Sequence, residues 1–124
     1  MKELQRRERR FHFHAAAGDR ELGRLYAEAR AVVFPTIAEG CGLPLLEALW
    51  RGVPCVCSDL PVLRENADGG GCVVAGVNDA ADWQAKLRTV LTDRDTSVRL
   101  QREAMARTLP RWANTAQTLR KALV

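Results

Sequence analysis

Apolar positions along the 124 residues change period several times, and each change marks an element. Leu22, Leu25, Tyr26 and Ala29 recur at the i, i+3, i+4, i+7 spacing, which predicts a helix over roughly 20–29 with Asp19 as its cap. "AVVFP" reads as a short buried strand stopped by Pro35. The spacing then turns helical again. Leu45, Leu46, Ala48, Leu49 and Trp50 leave that helix little polar surface, so it should pack on a sheet, with Pro44 in its first turn and Gly52 as its C-cap. "VPCVC" predicts the next strand, "LPVLREN" a short helix or turn around Glu65, "GGG" at 69–71 a flexible turn, and "CVVA" a further strand. "NDAADWQAKLRTVL" opens on a cap at Asn78 or Asp79 and sets Trp83, Leu87, Val90 and Leu91 on one face. Residues from about 95 onward read as helical with a break at Pro110, and Trp112, Ala116 and Leu119 are expected to dock the last helix on the body. Towards the N-terminus, "RFHFHAA" alternates Phe11 and Phe13 with His12 and His14, as a short edge strand would.

Near-continuous apolar strands joined through helices predict an α/β fold, a Rossmann-like open parallel sheet with flanking helices. Residues 11–124 form this one domain, and residues 1–10 are a basic lead-in. Ligands of such sheets bind at the carboxyl ends of the strands. Residues 35–43 lie at one such end.

Charge changes this picture little. The formal net charge is +4, and residues 1–10 alone carry a surplus of three, with Lys2, Arg6, Arg7, Arg9 and Arg10 against Glu3 and Glu8. No aromatic platform or groove-reading motif accompanies "RRERR", so it reads as a solvated segment and no nucleic-acid partner is expected. No run of 18 apolar residues occurs, so membrane association is at most peripheral. Of the four cysteines, Cys55 and Cys57 alternate onto one strand face as buried free thiols, which suits a reducing cytoplasm. The spacing does not form a metal motif, and no metal is expected.

The informative stretch is "PTIAEGCGLPLLEALWRGVPCV", residues 35–56. Gly40 to Leu43 lead into a helix whose first N–H groups lack partners and whose dipole is positive there, a suitable seat for a diphosphate. Glu47, expected in the first helical turn, suits the two vicinal hydroxyls of a ribose. Glu39, on the loop before the glycines, would flank the phosphates from the other side and accept from the hydroxyls of what they carry. Each residue alone has a structural reading: Glu47 stabilised by the dipole, Glu39 solvated, Gly52 a cap. Taken together they describe a nucleotide-sugar site.

"FPTIAEGCGLPLLEALWRGVPCVCSDLPVLRE" resembles the nucleotide-sugar-binding half of retaining glycosyltransferases with two facing Rossmann-like domains, the GT-B family called group 1 or family 4. The matching positions are Glu39, Gly40, Cys41, Gly42, Leu43, Pro44 and Glu47, then Gly52, Pro54 and Ser58. The resemblance implies that Glu39 contacts the donor sugar and assists the transfer centre, that Glu47 holds the ribose, and that the amides of Gly40, Cys41, Gly42 and Leu43 lie near the diphosphate. Ser58 and Glu65 take supporting positions at neighbouring strand ends. The implied donor is a UDP-, GDP- or similarly activated sugar, a substrate rather than a cofactor, and the implied acceptor is a sugar or a lipid-linked acceptor.

Two departures set expectations for activity. Cys41 stands where the family carries Phe, which removes an aromatic wall and keeps the backbone amide. The basic pair that neutralises the diphosphate and the acceptor-binding domain both belong to segments outside these 124 residues. The isolated chain is therefore expected to bind donor weakly and to need a partner domain, a completing homodimer or a longer parent enzyme for turnover. The rival readings are a noncatalytic nucleotide-sugar-binding module and a remnant that serves protein interaction.

Overall fold

The computed structural model describes residues 2–123. Its centre is a parallel sheet of β1 (Val32–Phe34), β2 (Cys55–Ser58) and β3 (Cys72–Ala75), in the order β1-β2-β3. The register pairs Val32 with Cys55, Cys55 with Cys72, and Ser58 with Ala75. Every residue of β2 is buried, as the middle strand of a sheet covered on both faces must be. Its two-residue period splits the core. Cys55 and Cys57 face α2 (Asp19–Glu28), α3 (Leu43–Trp50) and α4 (Pro61–Ala67), packing with Tyr26, Leu45, Ala48, Leu49 and Leu63. Val56 faces α5 (Ala80–Thr92) and α6 (Arg94–Ala106), packing with Ala75, Val90 and Leu100. This is the expected Rossmann-like α/β arrangement, present in part. Among the described residues no helix is long and apolar enough to cross a membrane.

Several helix boundaries differ from expectation for local reasons. Gly18, not Asp19, is the N-cap of α2, so Asp19 becomes its first residue and faces the positive end of the dipole. Of the two cap residues expected for α5, Asp79 takes the role as anticipated, accepting from the Asp82 N–H at 3.0 Å. Arg51 is the cap residue of α3 and Gly52 follows it. The triple glycine is no loose turn. It forms a packed corner: the Gly71 N–H donates to Glu103 Oε2 at 2.9 Å, while Arg107 donates to the Gly70 and Asn66 carbonyls at 3.0 Å each.

Two expectations fail at the chain's periphery. Residues 11–14 form no strand; the alternation survives in half-buried Phe11 and Phe13, but they join neither edge of the sheet, β1 or β3. His14 instead meets Glu21, Nδ1 to Oε1 at 2.7 Å. The basic lead-in is itself helical, as α1 (Lys2–Arg7). The final helix α7 (Trp112–Leu123) buries nothing: Trp112 is 89% and Leu119 59% exposed, so the expected docking is not made. The core ends at Leu109, which packs against its rim, and Pro110 follows. Leu91 and Trp50 are likewise more exposed than their apolar stripes imply.

Burial raises the thiols of Cys55, Cys57 and Cys72, Cys57 to about 11 and Cys72 to about 12. Cys41 is exposed. A thiol-disulfide reagent at pH 8 should therefore titrate one cysteine rapidly and the other three only on unfolding, because the thiolate is the nucleophile. Two or more fast thiols in the native chain would show that the sheet is open.

Candidate functional site

The loop from Pro35 to Gly42 carries the chain from the carboxyl end of β1 to the start of α3. Gly42 is the N-cap of α3, with φ +74°, a left-handed conformation that glycine adopts without penalty. Leu43 is the first helical residue and Pro44 the second, where a missing N–H removes no intrahelical bond. Asn66 of α4 fixes the loop by donating from Nδ2 to the Cys41 carbonyl at 2.6 Å. Gly42 is closed in by α4 as well, since a Cβ there would lie 2.5 Å from Leu63 Cδ2. The expected site segment Gly40, Cys41, Gly42 and Leu43 is thus gathered at a helix N-terminus beside a strand end.

Glu39 does not stand across from these amides but on them. Its Oε1 accepts from the Gly40 N–H at 3.1 Å and the Cys41 N–H at 3.4 Å. The N–H groups of Gly42 and then Cys41 hold its carboxyl below the ordinary range. A carboxylate of the loop itself thus accepts from the amides that precede α3.

Glu47 is the fifth residue of α3, in the second turn rather than the first. It is half-buried on the side facing α2, where the Tyr26 hydroxyl donates to its Oε2 at 3.1 Å. Burial, then the Glu47 carboxylate, push the Tyr26 phenol up to about 12, so it stays protonated and remains a donor at neutral pH. Ser58, 2% exposed, ends β2 and lines a groove of about 800 Å³ with Pro35, Thr36, Asn78 and Trp83. None of the other expected site residues lines that groove. Glu65 is exposed on α4, between Arg64, which pairs with Asp59, and Asn66. Tyr26 and Asn66 were not foreseen as site residues. A tyrosine on an otherwise aliphatic stripe was the available signal for the first, because a buried phenol seeks a partner. Asn66 carried none.

The sequence profile described as "Glycosyl transferases group 1" matches residues 3–107. Over 75 residues the chain is 44% identical to O-antigen chain mannosyltransferase B of Escherichia coli, covering 60% of this chain and 19% of that protein. Over 70 residues it is 37% identical to O-antigen chain mannosyltransferase RfbU of Salmonella typhimurium, covering 56% and 20%. Over 101 residues it is 34% identical to D-inositol 3-phosphate glycosyltransferase of Nocardia farcinica, covering 79% and 22%. The chain spans about a fifth of the length of these relatives.

Proposed function

Because the chain belongs to the group 1 glycosyl transferases, we propose that it is the donor-binding part of a retaining glycosyl transfer from a nucleotide-diphosphate sugar. The observation that supports this most is the start of α3: loop amides gathered at a strand end, with one glutamate ahead of them that accepts from two and another behind. Such a terminus favours phosphate, through unpaired N–H groups and the helix dipole. Glu39 would leave the amides and accept from donor-sugar hydroxyls, while Glu47 would accept from the ribose. Two of the relatives are named mannosyltransferases, which favours an activated mannose among the possible donors. The acceptor, a sugar or a lipid-linked molecule, would be presented by a partner domain or a second copy.

A noncatalytic donor-binding module is the second reading. It is favoured by the state of two cations near the strand ends: Arg64 is engaged by Asp59, and Lys86 by Asp82 and the Val74 carbonyl. Neither is free to neutralise a departing diphosphate.

Calorimetry with UDP, GDP and their hexose conjugates tests the common core of both readings. Glu47→Ala should weaken binding of the bare nucleotide about tenfold, the scale of one lost charged hydrogen bond. Glu39→Ala frees the Gly40 and Cys41 amides, so affinity for the bare nucleotide should hold or rise while the preference for the sugar conjugate falls. Equal and negligible heats for every compound with the wild-type chain would reject donor binding. Release of free nucleotide on adding acceptor separates an enzyme from a binder.

A further inference from the structure

Tyr26 is the chain's single tyrosine, and its ring is 8% exposed within the core formed with Leu45, Ala48 and Leu49. The ring is held from two directions. The core fixes its position, and the Arg51 guanidinium lies 4.8 Å from its centroid, one turn further along α3 than Glu47. The hydroxyl is thereby aimed at the carboxylate, 3.1 Å from Glu47 Oε2, with the Pro44 carbonyl 3.5 Å away. Among the described residues no donor reaches the other carboxylate oxygen, Oε1. A glutamate on a helix surface ordinarily samples several rotamers. This one has one oxygen claimed by a fixed phenol and the other left open.

We propose that Tyr26 is a positioning residue for ribose recognition: its hydroxyl holds one oxygen of Glu47 so that the other is presented to the ribose hydroxyls of a bound nucleotide. This rests on the donor-binding reading above and adds a specificity to it, discrimination between ribo- and deoxyribonucleotides. The competing role for the same bond is purely structural, a pin between α2 and α3. A pin would affect stability without affecting which ligand is preferred.

Tyr26→Phe removes the donor and keeps the ring that fills the core. Calorimetry with UDP and GDP and with their 2′-deoxy and 3′-deoxy forms provides the readout. The wild-type chain should prefer the ribonucleotide about tenfold over at least one deoxy form, the scale of one hydrogen bond to a charged acceptor. In Tyr26→Phe that ratio should fall toward unity while affinity for the deoxy form is kept. An unchanged ratio in a folded variant overturns the inference and leaves the donor-binding reading standing. Absence of binding by the wild-type chain overturns both. A second measurement needs no mutation: 3-fluorotyrosine incorporated at the single tyrosine should give a ¹⁹F shift that saturates with the ribonucleotide and is smaller with the deoxy form. Saturable binding without that shift also overturns it.

Discussion

Gly71→Ala should lower the stability of the fold by about 2–5 kcal/mol, the combined scale of a left-handed backbone and an overpacked core. Gly71 has φ +79°, and a Cβ built there would lie 2.7 Å from Leu49 Cδ2 and 2.9 Å from the Ala104 Cα. The first contact could relax through a rotamer change. The second is backbone, so α6 itself would have to move away from the start of β3. That movement would also strain the bond from the Gly71 N–H to Glu103 Oε2 and the two bonds Arg107 makes to this corner. Gly23→Ala is the matched control. Gly23 lies inside α2 with nothing within 4 Å of its Cβ position, and alanine there should stabilise by roughly 0.5–1 kcal/mol. Denaturant unfolding should show the two midpoints moving in opposite directions at similar slope. A Gly71→Ala loss below about 0.5 kcal/mol, the range of ordinary surface substitutions, would mean that α6 does not close this corner.

That corner also shows where sequence legibility ends. Glycines announce permitted backbone angles, and from "GGG" only freedom could be read. What fixes the segment is Glu103 and Arg107, more than thirty residues away, and no local pattern carries that information. The same limit explains α7. Trp112, Ala116 and Leu119 form the same kind of stripe as Leu22, Leu25 and Tyr26; periodicity reveals an apolar face but not what covers it. At residues 11–14 the alternation is strand-compatible, yet a strand exists only against a ladder, and this segment pairs with neither edge of the sheet. The sheet was legible because β2 must be apolar on both faces, and "VPCVC" is. The start of α3 was legible because Gly42 and Pro44 have positional meanings that do not depend on distant partners. Placing Glu47 in the first turn missed by one turn because the helix begins at Leu43, a boundary that apolar spacing alone does not fix.

The two glycines of "GCG" should separate when each is replaced by alanine, and the difference tests whether this loop serves a ligand. Gly42→Ala faces a left-handed backbone, φ +74°, together with Leu63 Cδ2 at 2.5 Å and Asn66 Nδ2 at 3.1 Å. Leu63 is buried and cannot swing out freely, and Asn66 is already committed to the Cys41 carbonyl. Stability should fall by about 2 kcal/mol, and nucleotide-sugar affinity should fall with it as the N-terminus of α3 shifts. Gly40 is different. It has no atom within 4 Å of its Cβ position and is not among the residues of positive φ, so the fold makes no demand for glycine there. Gly40→Ala should leave stability within about 0.5 kcal/mol. If a phosphate or donor sugar approaches the amides beside Glu39, the added methyl would stand in its way, and affinity for the conjugates should drop about tenfold or more, the scale of an unrelieved overpacking contact. Unchanged binding with unchanged stability at Gly40 would mean that nothing comes close to that amide, and the start of α3 would then be a feature of the fold alone.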